Sequence, residues 1–252
     1  MKIALIQPQI HDYEIEKNFN NLESICKDIP SFVDWIVFPE MFMTGFVVET
    51  SLCKDSQQKG LDLMRNLAKR KACATEGSLL IESNAQFFNR HYFITEDQES
   101  YYDKQKLFSL SDEAKVLTAG TKSRTVSFKN WKISLRTCYD LRFADICKNE
   151  YVNGSFKYDV LCFTASWPKS RSKQWKILLQ ARAIENQCYV IGVNRCGTDS
   201  YGTDYSGDSC IVDMKGNFLQ PLDCSSQNVF YYDIDKESLD KGREKFPVYT
   251  DW

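Results

Sequence analysis

The spacing of apolar and polar residues divides the chain into short strands and amphipathic helices. Apolar residues at helical spacing, such as Ile15, Phe19 and Leu22, predict helices over residues 14–28, 57–72 and 173–187. Short apolar runs with polar breaks predict strands at IALIQP, WIVFPE, GSLLIES, QFFNRHYFIT, SYYDKQKLF, DVLCFTASW, CYVIGVNR, SCIVDMKG and VFYYDID. A strand–turn–strand unit is predicted in SFKNWKISLRTCYD, with its bend at Lys129-Asn130, and a short helix follows the last strand.

The order of these elements indicates the fold class. Strands and helices alternate, but GSLLIES, QFFNRHYFIT and SYYDKQKLF follow one another directly, which favours an antiparallel meander. This pattern predicts an α/β fold with a mixed sheet, or two sheets packed face to face with helices outside. No linker, low-complexity tract or internal repeat interrupts the 252 residues, so we predict a single domain over residues 1–252.

Composition and charge exclude several classes of protein. A hydrophobic fraction of 43% and an aromatic fraction of 13% indicate a globular chain. The net charge is −2, and nothing in the composition predicts the clustered positive charge that a nucleic-acid or membrane surface needs. We therefore expect no nucleic-acid partner and no membrane surface. No apolar run approaches the roughly 20 residues that span a bilayer. The first residues, MKIALIQPQI, lack the apolar core of a signal peptide, and we expect a cytoplasmic protein.

The ten cysteines do not indicate disulfides or a metal site. No two are spaced as CxxC, and neither His11 nor His91 adjoins one. Most lie in apolar segments, where a free cysteine behaves as a small buried hydrophobe. We therefore predict reduced thiols, no metal and no cofactor.

Three reactive side chains lie at or just past the ends of apolar strands. Glu40 follows WIVFP, Lys104 follows SYYD and Cys138 follows WKISLRT. Taken singly, each is more often structural: a core thiol, a solvated loop carboxylate or a surface lysine. In α/β proteins, however, strand ends are where ligand sites are built, so the three together predict a site.

The sequence around these residues resembles that of the nitrilase, or carbon–nitrogen hydrolase, superfamily. VFPEMFMTGF, YDKQKLF and CYDLRFAD occur in that order, and the segment over residues 165–209 is similar to the omega-amidase branch. The resemblance extends from IALIQ to VFYYDID, nearly the whole chain. It implies a four-layer α-β-β-α sandwich, an amidase activity and assembly into a homodimer or a higher homo-oligomer.

The resemblance also implies a role for each site residue. Cys138 would be the nucleophile, Glu40 the general base and Lys104 its electrostatic partner. Glu113 matches a second glutamate that would hold Lys104 in place. Lys104 and the backbone N–H of Tyr139 would donate to the oxyanion of the tetrahedral intermediate.

One position departs from the family pattern. Lys106 stands where the family usually has a histidine, two residues after the catalytic lysine. Asp103 before Lys104 and Leu107-Phe108 after it keep the register of the motif. The change concerns local hydrogen bonding and electrostatics rather than the catalytic trio.

Arg142, four residues after the nucleophile, bears on the substrate. It could form a structural salt bridge or a bidentate clamp for a substrate carboxylate. The resemblance favours the clamp and implies 2-oxo dicarboxylic acid monoamides, alpha-ketoglutaramate and alpha-ketosuccinamate. Trp167 in ASWP would border the pocket or pack in the core, and Phe46 in MTGF would help to close the site.

Other functions stay open at this point. The chain could be an amidase for another substrate, such as a deaminated glutathione or a carbamoyl amide, or an inactive nitrilase-fold binding protein. His91 lies mid-strand and is expected to be a packed or an edge residue rather than a catalytic one, and no GxSxG elbow is present. The glycine-rich NRCGTDSYGTDYSGDS is no phosphate loop; we interpret it as a flexible loop at the site mouth or at a subunit contact.

Overall fold

A computed structural model describes residues 1–220 and 225–252, so Cys224, one of the ten cysteines, lies outside the described residues. The helices are α1 (Ile15–Lys27), α2 (Cys53–Lys71), α3 (Glu113–Val116), α4 (Ala144–Cys147), α5 (Ser172–Asn186) and α6 (Lys236–Lys245). The strands are β1 (Lys2–Gln7), β2 (Trp35–Val37), β3 (Ala74–Ser83), β4 (Gln86–Ile94), β5 (Glu99–Asp103), β6 (Arg124–Phe128), β7 (Trp131–Thr137), β8 (Tyr151–Val152), β9 (Ser155–Phe156), β10 (Val160–Ala165), β11 (Tyr189–Asn194), β12 (Cys196–Thr198), β13 (Asp204–Ser206), β14 (Cys210–Val212) and β15 (Asn228–Asp233). Short 3-10 turns cover Thr50–Leu52, Cys138–Arg142, Lys169–Arg171 and Val248–Asp251.

Two mixed sheets dominate the part of the chain that the structure describes. The first has the order β15-β1-β2-β3-β4-β5, with β1, β2 and β3 parallel and the meander β3-β4-β5 antiparallel, as predicted. At its edge, β15 pairs antiparallel with β1, placing Lys2 opposite Asp233. The second has the order β14-β11-β10-β7-β6, with β7, β10 and β11 parallel.

Three apolar layers hold the sheets and helices together. Between the sheets, side chains such as Val37 and Leu135 pack into one cluster. On the outer face of the first sheet, α1 and α2 bury Leu22 and Met64. On the outer face of the second, α5 buries Trp175. The four-layer α-β-β-α sandwich is therefore confirmed, whereas the single-domain organisation stays a prediction.

The element boundaries differ from the sequence pattern in several places; strand β5, for example, ends at Asp103 rather than running to Phe108. Helix α2 begins at Cys53, four residues before the predicted start, because the 3-10 turn Thr50–Leu52 leads directly into it. The glycine-rich segment is not an unbroken loop, since β12 and β13 form a short hairpin within it. Among residues 1–220 and 225–252, no helix has both the length and the apolar character needed to cross a membrane.

Candidate active site

The two sheets bring three buried charged side chains together beside Cys138. Glu40 lies three residues past the end of β2, Lys104 directly follows β5, Glu113 opens α3 and Cys138 directly follows β7. Lys104 Nζ donates to Glu40 Oε1 at 2.8 Å and to both carboxylate oxygens of Glu113 at 2.9 Å. The three charged side chains are shielded from solvent, with relative exposures of 0% for both glutamates and 1% for the lysine.

The second sheet also holds Glu40 from the opposite side. Ser166 directly follows β10, and its backbone N–H donates to Glu40 Oε2 at 2.9 Å. Glu40 Oε1 is taken by Lys104, so each carboxylate oxygen has a partner from a different sheet. The carboxylate is thereby fixed at the seam where the sheets meet.

The nucleophile candidate sits on a tight turn. Cys138 has a backbone φ of +42°, which L-residues rarely adopt, and it opens the 3-10 turn Cys138–Arg142. The buried carboxylate of Asp140 supports this turn: Oδ2 accepts from Thr137 N and Tyr102 Oη, both at 2.8 Å. Its Oδ1 accepts from the backbone N–H of Lys106 at 2.9 Å, which ties the turn to the segment carrying Lys104.

The electrostatics of the cluster favour a neutral thiol and a charged lysine, and they raise the pKa of the carboxylate base. Burial raises the pKa of Cys138 well above its usual range, and the Glu40 charge raises it further against the opposing effect of Lys104. Burial also raises the pKa of Glu40, with Lys104 opposing. Burial by itself would lower the pKa of Lys104, but Glu113 and Glu40 outweigh it and raise that pKa, so the lysine stays charged. Glu40 is one of the charges that act on the thiol, so this carboxylate is the candidate base for its proton.

Asn89 is a member of the cluster that the sequence reasoning missed. Its Nδ2 donates to Glu40 Oε1 at 2.8 Å and to Glu113 Oε1 at 3.0 Å. It lies mid-strand on β4, where Asn89 and His91 point the same way at the two-residue period of a strand. In the sequence, the signal for this role was the occurrence of two polar residues, Asn89 and His91, two positions apart in QFFNRHYFI.

His91 lies deeper between the sheets, away from the cluster. Its Nε2 is 2.7 Å from Glu76 Oε1, and its Nδ1 is 3.1 Å from the carbonyl oxygen of Arg136 on β7. Both side chains of the His91–Glu76 pair are fully buried. His91 is thus a packed residue, as predicted.

A cavity of about 620 Å³ opens onto the cluster. It is lined by predicted site residues from both sheets, namely Phe46, Lys104, Glu113, Cys138, Tyr139, Arg142 and Trp167. Tyr201 and Tyr205 of the glycine-rich segment also line it, which places that segment at the site mouth. The Phe46 ring centroid lies 5.3 Å from Lys104 Nζ, so this ring covers the lysine on the cavity side.

Arg142 lines the cavity without an acidic partner among the described residues. Its Nη2 donates to Gln174 Oε1 at 2.6 Å, and its guanidinium carbon lies 4.9 Å from the Trp167 ring centroid. The structural salt bridge considered for this residue is therefore not formed with any carboxylate in the described ranges. The guanidinium is available for an anion in the cavity.

Lys106, the departure from the family pattern, points away from the cluster. Its Nζ lies 4.8 Å from the Phe143 ring centroid and 4.0 Å from Asp145 Oδ2. Its contribution to the site is the backbone N–H bond to Asp140. In the ranges that the structure covers, no group of three or more His, Cys, Asp and Glu side chains is arranged to hold a metal ion.

Comparisons with known proteins bear on the family of this chain. The family model for carbon-nitrogen hydrolases matches residues 2–244. Omega-amidase YafV of Escherichia coli strain K12 is 32% identical over 252 residues, covering 100% of this chain and 96% of that protein. 2-Oxoglutaramate amidase of Bacillus subtilis strain 168 is 28% identical over 254 residues, covering 99% and 96%.

A solved structure shares the whole fold. XC1258 from Xanthomonas campestris, a CN-hydrolase superfamily protein with an arsenic adduct in its active site, superposes with a TM-score of 0.94. It is 30% identical and covers 100% of this chain and 97% of that one.

Proposed function

Since the chain belongs to the carbon–nitrogen hydrolase family and is an amide-hydrolysing enzyme, we propose that it is an omega-amidase. Its substrates would be 2-oxo dicarboxylic acid monoamides, alpha-ketoglutaramate and alpha-ketosuccinamate, which it converts to the 2-oxo acid and ammonia. The observation that carries the proposal is one cavity that holds both Cys138, beside its buried charged cluster, and the guanidinium of Arg142, which has no acidic partner among the described residues.

In the first half-reaction Cys138 is the nucleophile and Glu40 the general base. The raised pKa of the thiol means that it needs a base, and the neighbouring Glu40 carboxylate takes its proton as sulfur attacks the amide carbon. Glu40 then gives that proton to the departing nitrogen, the C–N bond breaks, and ammonia leaves. The acyl group remains on sulfur as a thioester.

Lys104 stabilises the oxyanion, and proton transfer prepares it to do so. Before reaction its three N–H groups are occupied by Glu40 and Glu113. When Glu40 accepts the thiol proton it loses its charge, so its hold on Lys104 weakens and one N–H becomes available to the oxyanion. Glu113 keeps its two bonds and holds the ammonium in position.

The backbone N–H of Tyr139 is the second proposed oxyanion donor. Tyr139 is the second residue of the 3-10 turn Cys138–Arg142, and N–H groups in a first turn lack partners within the turn. One such donor is typically worth about 2.7–4 kcal/mol in the transition state.

The second half-reaction returns the enzyme to its starting state. Glu40 takes a proton from water, the resulting hydroxide attacks the thioester carbon, and the C–S bond breaks with return of the proton to Cys138. The oxyanion donors are the same as before. Arg142 holds the substrate carboxylate throughout, with Trp167 and Phe46 as apolar walls of the cavity.

The direct test is ammonia release from alpha-ketoglutaramate by the purified enzyme. We expect release that the Cys138→Ala variant does not support. Absence of release above that control would refute the omega-amidase proposal. Turnover of a deaminated glutathione or a carbamoyl amide instead would identify another amidase, and failure of every small amide to acylate Cys138 would indicate an inactive binding protein.

We further propose that the enzyme acts in the cytoplasm as a homodimer. A thiol nucleophile works only when reduced, and all nine cysteines in the described ranges are free thiols, which supports a reducing compartment. Dimers with two-fold symmetry are the commonest soluble homo-oligomers. Sedimentation equilibrium checks the assembly, and a monomer would contradict it.

A further inference from the structure

A second arginine, Arg171, lines the cavity that holds Cys138 and Arg142. Arg171 is not among the site residues predicted from the sequence, and the reaction steps above do not use it. Arg171 ends the 3-10 turn Lys169–Arg171, directly before α5. Its backbone is fixed, because its N–H donates to Pro168 O at 2.9 Å and its carbonyl accepts from Trp167 Nε1, also at 2.9 Å.

Aromatic contacts link the Arg171 side chain to Tyr139, the residue that follows the nucleophile. Its guanidinium carbon lies 5.8 Å from the ring centroid of Phe108. Phe108 in turn packs edge-on against Tyr139, with ring centroids 5.1 Å apart, and Tyr139 directly follows Cys138. The two arginines therefore flank Trp167, with Arg142 over its ring and the Arg171 backbone at its indole N–H.

Arg142 and Arg171 are the cations of the cavity lining that have no anionic partner among the described residues, whereas each carboxylate of the lining already has a partner. Glu113 is engaged by Lys104. Asp199 accepts from the backbone N–H groups of residues 201 and 203 and from Tyr205 Oη. Asp112, at the exposed rim, is 2.8 Å from Lys115 Nζ. Within the described ranges, neither Arg142 nor Arg171 forms an ion pair.

This charge pattern suits one class of substrate. A carboxylate with an adjacent oxo group presents only acceptors, which two guanidinium groups satisfy. A carboxylate with an adjacent ammonium group presents three donors and a positive charge, for which the described lining of the cavity offers no carboxylate without a partner. An ammonium beside two arginines is repelled, and such repulsion is an effective source of specificity.

Resting on the function proposed above, we infer that Arg171 is a specificity-determining residue. Together with Arg142 it selects amides that carry an oxo group beside the carboxylate over amides that carry an ammonium group there. The 2-oxo acid amide is accepted, and the corresponding amino acid amide, L-glutamine, is rejected at the same position.

The test compares kcat/KM for alpha-ketoglutaramate, L-glutamine and a neutral amide, butyramide, in wild type and three variants. Arg171→Gln should lower kcat/KM for alpha-ketoglutaramate about tenfold or more, equivalent to about 1.4 kcal/mol, and leave butyramide within about twofold. Arg171→Lys keeps the charge and should retain the preference for the oxo acid. Arg171→Glu supplies an acceptor for ammonium and should shift the preference furthest towards L-glutamine.

Lys173→Gln is the matched control, because it removes one positive charge two residues away at an exposed position outside the cavity lining. It should match the wild type on all three substrates. An oxo-to-amino preference that is the same in Arg171→Gln and the wild type, with butyramide turnover showing intact enzyme, would overturn the inference.

Binding separates this inference from the proposed function. Calorimetry with 2-oxoglutarate and L-glutamate reports selectivity without requiring turnover. If alpha-ketoglutaramate is not hydrolysed but 2-oxoglutarate binds in preference to L-glutamate and Arg171→Gln loses that preference, the omega-amidase proposal fails and the role of Arg171 stands. If hydrolysis occurs but neither turnover nor binding preference responds to Arg171→Gln, only the role of Arg171 fails.

Discussion

Replacing Asn89 by leucine removes a neutral donor that touches both buried carboxylates of the site. The amide donates to Glu40 at 2.8 Å and to Glu113 at 3.0 Å, and leucine fills a similar volume without donating. Glu40 keeps its bonds from Lys104 and the backbone of Ser166, so the cluster is weakened rather than dismantled. The expected consequence is a base that is harder to ionise.

The size of the effect follows from the single lost bond to Glu40. A hydrogen bond to a charged group contributes about 1.5–3 kcal/mol net. One pKa unit corresponds to about 1.4 kcal/mol, so the pKa of Glu40 should rise by about 1–2 units beyond the increase that burial already causes. The proposed mechanism needs ionised Glu40, and the acidic limb of kcat/KM should therefore move to higher pH by the same amount.

The assay is the pH dependence of kcat/KM for ammonia release, whose acidic limb reports the coupled cluster as a whole. Asn149→Leu is the matched control. Asn149 is equally buried and also donates two bonds, but to the backbone carbonyls of Tyr158 and Asn186, both at 3.0 Å. It should lower the free energy of unfolding in urea without moving the acidic limb. An acidic limb in Asn89→Leu that overlays the wild-type limb would refute the reasoning.

Substitutions at three further positions test other contacts of the site and core. Glu113→Gln loosens Lys104, an oxyanion donor, so kcat should fall about 10²–10³-fold in the ammonia assay; an increase confined to KM would contradict this. Asp140→Asn places an amide against three donors and leaves at least one of them unpaired. The free energy of unfolding in urea should therefore fall by about 1–3 kcal/mol, and wild-type stability would count against the role of this carboxylate. A backbone carbonyl fixes Nδ1 of His91 as a donor, so Nε2 of His91 and the Glu76 carboxylate must share a proton. Glu76→Gln supplies an equivalent N–H and should keep the free energy of unfolding within about 1 kcal/mol of the wild type, whereas Glu76→Leu should lower it by about 1–3 kcal/mol. Equal losses in the two variants would disprove the shared proton.

Local pattern was sufficient for most of the longer strands and helices and for part of the site. Strand periodicity located β4 to within a residue, and helix periodicity located α5 to within a residue at each end. Lys104 and Cys138 each directly follow a strand, so their placement depends only on where an apolar run ends. Such features are set by neighbouring residues, and the sequence displays them directly.

The missed features depend on contacts between distant parts of the chain. Asn89 is mid-strand, and only the packing of β4 against the second sheet shows that it meets two carboxylates. Asp140 joins the nucleophile turn to a segment more than thirty residues earlier. The glycine-rich segment hides its hairpin because β12 and β13 have three residues each, too few for alternation to be visible.

The pairing of β1 with β15 has a consequence for how the chain is made. Strand β1 lies inside the first sheet, and its partner on one side, β15 (Asn228–Asp233), is synthesised after all the other strands of that sheet. Until then one edge of β1 is open to other strands, and such an edge is a template for aggregation. Slowed translation before β15 should therefore reduce the soluble yield more than the same delay after it.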